Sequence, residues 1–158
     1  MGRQTINEMF TLQIPDCFEV LTEDDLRKMY RNVADPFRWG VRDTENHVIM
    51  TALWKQVPAL LSWTLDLKAI VKKNEQLTGQ VHAGHGYRFL EFFSTQAGDE
   101  KAEGYRFCYD QEGITQVCSN YLIRNGRTIY AFMCVGRKEN MDADRELFRR
   151  IMETLEYV

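Results

Sequence analysis

Residues Gly113–Gly136 read GITQVCSNYLIRNGRTIYAFMCVG, two apolar-rich runs on either side of Asn125-Gly126. Both turn residues tolerate the positive φ that a type I′ turn demands, so the stretch reads as a β-hairpin of strands 113–124 and 127–136. A turn centred on that pair sets Tyr121 opposite Tyr130 and Ser119 opposite Phe132. One face of the hairpin then carries Val117, Tyr121, Ile123, Tyr130, Phe132 and Cys134, with Ser119 and Thr128 as its polar members. The other carries Leu122, Ile129, Ala131, Met133 and Val135, with Asn120 as its polar member. An antiparallel sheet with one wet side alternates apolar and polar residues; here both faces are apolar, and something must cover each.

Upstream, Gly86–Gln96 and Ala102–Asp110 share the period of two and extend the hairpin into a four-strand meander. A tight turn at Gln111-Glu112 places Cys108 opposite Thr115 and Cys118 opposite Tyr105, while the next hairpin sets Cys118 opposite Met133. No two of these cysteines face each other, as a disulfide would require. The four cysteines, Cys17, Cys108, Cys118 and Cys134, also contain no C-x-x-C pair, so they read as reduced thiols and the chain as cytoplasmic.

The first half changes period. Phe10–Ile14 alternates as a half-buried strand should, and Pro15 stops it. Thr22 and Asp25 resemble a capping box that opens a short helix carrying Leu26, Met29 and Tyr30. Trp39–Asp43 and His47–Lys55 form a hairpin about Thr44, Glu45 and Asn46. Pro58 suits the first turn of a long helix in which Leu60, Trp63, Leu67, Ile70 and Val71 recur at three-to-four spacing until Gly79. Asn140 or Asp142 caps a last helix with the stripe Leu147, Phe148, Ile151 and Leu155.

The opening FTLQIPDCFEV (Phe10–Val20, with its F-x-x-x-x-P-x-x-F start), the long first-half helix, the meander ending in GRTIYAF (Gly126–Phe132) and the closing helix with its ETLEY resemble the Mog/PsbP-like superfamily over nearly the whole chain. The resemblance implies an α+β fold, a three-layer α/β/α sandwich around a mainly antiparallel sheet. Members differ in role: one binds a small Ran-type GTPase, one is an extrinsic subunit of photosystem II, and others are bacterial lipoproteins. None of their binding residues maps onto a position of this sequence, and a fold does not by itself name a function.

The chain has 158 residues, with 20 Lys plus Arg against 23 Asp plus Glu, a net charge of −3. Its pI of 5.7 argues against nucleic acid and against a polybasic membrane module as partner. The most apolar stretch, Pro58–Val71, is broken by Ser62, Thr64, Asp66 and Lys68, too polar for a transmembrane span. The N-terminal MGRQTINEMF has no secretory apolar core. With no linker or low-complexity segment, residues 1–158 read as a single domain. The recurrence of GYRF at Gly86–Phe89 and Gly104–Phe107 is two strand starts with the same alternation, not a repeat.

No set of residues assembles a catalytic signature. His82 and His85 in VHAGHGY lack a third ligand or an HExxH context and read as loop residues, so no metal or cofactor is expected. Gly84 and Gly86 do not make a phosphate-binding G-x-G-x-x-G. Asp99, Glu100, Asp110 and Glu112 read as turn residues. The segment YRNVADPFRWGVR, Tyr30–Arg42, mixes aromatics with arginines as protein interfaces do, and Tyr30, Phe37, Arg38 and Trp39 are the candidate partner surface. The sequence thus points to a non-enzymatic protein-binding or adaptor domain. The alternative is a small-ligand-binding protein or small enzyme with a pocket between the long helix and the sheet. An unpaired sheet edge leaves monomer and homodimer both open.

Overall fold

The turn signal does make the expected hairpin, one residue later than a turn centred on Asn125-Gly126 would place it. In the computed structural model, which describes residues 2–29 and 38–158, Asn125 pairs with Thr128 and the two loop residues are Gly126 and Arg127. Gly126 has φ +60° at the first loop position, as a type II′ turn requires, and Asn125 stays in its strand. The preceding turn also moves by one: Glu112 and Gly113 both take positive φ, 52° and 79°, between Gln111 and Ile114. Tyr121 therefore faces Phe132, Ser119 faces Cys134, Cys108 faces Val117, and Cys118 faces Phe107 and Val135. A turn moved by one residue moves each pairing by two, so the sorting of side chains between the two faces is unchanged.

The strands are β1 (Gly2–Ile6), β2 (Phe10–Ile14), β3 (Glu19–Val20), β4 (Trp39–Asp43), β5 (Val48–Gln56), β6 (Arg88–Ala97), β7 (Glu100–Gln111), β8 (Ile114–Asn125), β9 (Thr128–Arg137) and β10 (Glu156–Tyr157). Among the described residues three α-helices accompany them: α1 (Glu23–Met29), α2 (Leu67–Val81) and α3 (Met141–Glu153). Seven strands among the described residues form one antiparallel sheet in the order β3-β4-β5-β9-β8-β7-β6, and β1-β2-β10 form a small second sheet.

Both faces of the large sheet are covered. Tyr121, Ile123, Tyr130, Phe132 and Cys134 pack against Phe148, Ile151 and Met152 of α3 and against Ile6, Phe10 and Leu12 of the small sheet. On the opposite face Tyr105, Phe107, Cys118, Leu122 and Ile129 pack against Val71, Leu67 and Ile70 of α2. Leu21 and Leu26, at α1, meet Ile49, Leu53 and Met133 beside them. The fold is the α+β, three-layered arrangement around an antiparallel sheet, with a small sheet sharing one outer layer with α3. Strand β1 carries one buried residue, Ile6, in a polar run and gives no strand signal in the sequence.

The capping box forms as read: Asp25 N donates to Thr22 Oγ1 and Thr22 N to Asp25 Oδ2. The long helix does not form as one piece. Ala59–Thr64 is a 3-10 turn, Leu65 is extended, and Asp66 caps α2 by accepting from Lys68 N at 3.0 Å. Ser62 and Thr64 donate back to the carbonyls of Ala59 and Leu61, closing the turn on itself. Helix α2 then runs through Gly79, where the Tyr87 ring lies 3.2 Å from the place a Cβ would occupy. Cys108, Cys118 and Cys134 are buried and Cys17 is exposed, all four as free thiols. Among the described residues no helix is long and apolar enough to cross a membrane.

Candidate functional site

Two surface features at opposite ends of the large sheet stand apart from ordinary packing. The first is the 3-10 turn. Leu60 and Trp63 are each 90% exposed and Leu61 is 56% exposed, in a chain whose other large apolar side chains are mostly in the core. The turn follows the C-terminal end of β5 and is tied to the tip of the β8–β9 hairpin. Val57 N donates to Arg127 O at 2.7 Å, Arg127 Nε to Val57 O at 3.1 Å, and Arg124 Nη2 to Ser62 O at 2.8 Å. The backbone is therefore held while the three apolar side chains stay in water.

The second is a groove of about 870 Å³ at the other end of the same sheet, between the C-terminal ends of α1 and α2. Its floor follows the strand register: Arg42 beside Ile49, Ile49 beside Val135, and Arg137 beside Gln116 beside Tyr109. Met29 closes one side and His82 and His85 the other. The His82 ring stacks on Tyr109 with centroids 4.4 Å apart and 26° between planes. Burial, reinforced by the neighbouring His85, holds the His82 pKa below its ordinary 6.5, so the stacked ring is the neutral imidazole at pH 7. Asp110 Oδ1 accepts from Thr115 at 2.8 Å and lies 3.6 Å from Arg88, and these contacts lower its pKa. Sequence reading weighed His82 and His85 and set them aside as loop residues, and most of the rest of the groove comes from β4, β5, β7, β8 and β9. Among the described residues no three His, Cys, Asp or Glu side chains converge as metal ligands.

A polar cluster lies under α3. Glu91 accepts from Arg106 at 2.6 Å and from Arg145 at 2.5 Å, Arg106 Nε donates to Ser119 Oγ, and its guanidinium lies 4.0 Å from the Phe93 ring centre. Asp144 sits beside it, 8% exposed, with Oδ2 unpartnered.

Of the four residues read as a partner surface, Tyr30 and Phe37 lie outside the described residues. Arg38 is exposed, its guanidinium 5.4 Å from the Trp54 ring centre. Trp39 is corrected: it is 8% exposed and part of the core. The alternation of β4 turns Trp39, Val41 and Asp43 inward together, all three being buried, so this side chain offers nothing to a partner. Trp63, which a helical spacing had placed on a packed face, is instead 90% exposed.

No family model matches the chain, and no curated protein matches it. Solved structures do. The cyanobacterial PsbP protein of Synechocystis superimposes over 99% of this chain and 92% of its own, with a TM-score of 0.70 at 8% identity. LpqN of Mycobacterium tuberculosis, described as involved in cell envelope biogenesis, covers 94% of this chain and 83% of its own, with a TM-score of 0.62 at 12% identity. A protein of unknown function from Pseudomonas aeruginosa, described as a putative regulator, covers 98% and 94%, with a TM-score of 0.54 at 11% identity. The chain has a PsbP-like fold.

Proposed function

We propose that this PsbP-like chain is a non-enzymatic protein-binding domain that docks through the turn Ala59–Thr64. One observation carries the reading: Leu60, Leu61 and Trp63 stand in solvent on a backbone fixed by hydrogen bonds. Burying such a side chain in a partner stabilises a complex by about 1.5–3 kcal/mol for each leucine, and tryptophan is the residue most enriched at binding hot spots. A turn already held in shape loses little further freedom on docking. Arg124 and Arg127 flank it, both hydrogen-bonded to backbone carbonyls and neither in an ion pair among the described residues. The partner is therefore a protein that offers an apolar cleft with an acidic rim. A cytoplasmic location belongs to the same reading, supported by four unpaired cysteines.

The test places a photo-crosslinking amino acid at Leu61, identifies the captured protein, and measures its binding in purified form. The double variant Leu60→Ser, Trp63→Ser, checked for folding by circular dichroism, is expected to lose that binding while Lys101→Ala keeps it. Equal affinity of wild type and double variant would refute the reading. So would co-sedimentation of the wild type, but not the variant, with phosphatidylserine vesicles, which would make the occupant a membrane.

A further inference from the structure

The groove at the other end of the sheet is independent of the apolar turn and is built differently. Its charges are mostly already matched. Arg42 donates twice to Glu19, at 3.0 and 2.8 Å, Lys28 pairs with Asp24 at 3.1 Å, and Asp43 accepts from Asn46 at 2.7 Å. Asp110 is held by Thr115 and Arg88. Glu112 and Arg137 are the exceptions, an exposed carboxylate and a guanidinium without an ion-pair partner among the described residues, and Arg137 is the one of the two that can take an anion. A guanidinium offers five donors in a planar fork suited to a carboxylate or phosphate. Beside it are the Gln116 amide and, one strand further, the Tyr109 ring carrying the stacked His82. The groove thus has a cationic end and a flat aromatic wall, and its volume falls in the range of small-molecule sites.

We propose that this groove is a binding site for a small planar organic anion, whose carboxylate or phosphate is held by Arg137 and whose ring lies against the His82–Tyr109 stack. The two halves predict different contributions. The anion half supplies charge-assisted hydrogen bonds, and the ring half supplies stacking on a neutral imidazole that costs no charge desolvation. A probe carrying both halves must therefore bind more tightly than either half alone.

The experiment titrates the purified chain with phenyl phosphate and with benzoate, and separately with inorganic phosphate and with phenol, following amide shifts by ¹⁵N–¹H NMR. At least one aromatic anion is expected to bind at about 1 mM or below, moving the amides of Gln116 and Arg137, and about tenfold more tightly than phosphate or phenol. Which of the two binds better tells phosphate from carboxylate. Arg137→Gln, which keeps a planar amide on the floor, weakens the aromatic anion about tenfold and leaves phenol unchanged. Tyr109→Leu weakens the aromatic anion and leaves inorganic phosphate unchanged. Failure of both aromatic anions to bind, or binding that Arg137→Gln does not weaken, overturns the proposal. The Leu60→Ser, Trp63→Ser variant keeps the ligand, since its substitutions lie at the opposite end of β5; loss of partner docking there leaves the groove's test intact.

Discussion

Asp144 should make the protein less stable as pH rises from about 4 to about 6, and Asp144→Asn should abolish that dependence. The carboxyl lies on the inner side of α3 against Gly136, so close that a Cβ on that glycine would stand 2.2 Å from Oδ2. With Oδ2 unpartnered, its pKa is pushed from 3.8 up to about 6, first by burial and second by the charge of Asp43. Asp43 itself keeps a lowered pKa through the Asn46 amide, so it is charged throughout this range. For an acid whose folded pKa is raised, the proton stabilises the folded state: the benefit is complete below pH 3.8 and gone above about 6. A shift of that size corresponds to about 3 kcal/mol as an upper bound, and about 1–3 kcal/mol once relaxation around the carboxylate is allowed for. For a chain of this length that is about 3–10 °C in Tm. Asparagine has the shape of the protonated acid and no titration. Urea unfolding of wild type and Asp144→Asn from pH 3.5 to 8 should give curves that converge at the acid end and diverge in favour of the variant above pH 6. Asp43→Asn should shrink the divergence by removing the second cause. Parallel curves, with one constant offset across the whole range, would show that Asp144 titrates normally and would refute the reasoning.

Gly98 has φ +58° and its Cβ position lies 2.0 Å from Leu155 O, so Gly98→Ala should cost more than about 2 kcal/mol by chemical denaturation, whereas Gly113→Ala, at a comparable φ with open space around it, should cost about 1. Native protein should react with Ellman's reagent at Cys17 alone, and Cys108, Cys118 and Cys134 only on unfolding. Cys118 and Cys134 are fully enclosed, and burial raises their thiol pKa values well above the ordinary 9.0.

The sorting of residues between the two sheet faces was legible because it depends only on parity. Tyr121 and Phe132 share a face whether the turn is centred on Asn125-Gly126 or on Gly126-Arg127. The register was not, since a glycine satisfies the first position of a type II′ turn as well as the second of a type I′ turn, and the choice rests on pairing along the whole meander. The helix that broke at Leu65 shows a second limit. Leu60, Trp63 and Leu67 do recur at helical spacing, but periodicity records where apolar residues could face a core, not whether a core lies beneath them. Asp66, a strong N-cap residue, was the local sign of the later start. Trp39 misled in the opposite direction, its neighbouring arginines suggesting an interface where strand alternation turned the indole inward. The groove was beyond reach of any linear reading, its floor being one or two residues from each of five strands.

Both candidate surfaces follow from one mismatch of lengths. Strand β8, with 12 residues, spans about 40 Å, whereas α2, with 15, spans about 22 Å and α1, with seven, about 10 Å. Two short helices cannot cover a face that long. Near the turns β4–β5 and β7–β8 the uncovered part lies between the helix ends, where Arg137 and Gln116 line the groove beside Tyr109 under the His82 ring. At the far end, the chain leaving β5 must reach the start of α2, and the Ala59–Thr64 turn crosses beside the β8–β9 hairpin tip, where the sheet has already ended. Its apolar side chains have no sheet to pack on, so they are exposed by topology and available to another molecule. A mixed floor with a guanidinium under the open end and apolar residues past the closed end are opposite solutions to the same shortage of cover. That is why one is read as a site for a small anion and the other as a site for a protein.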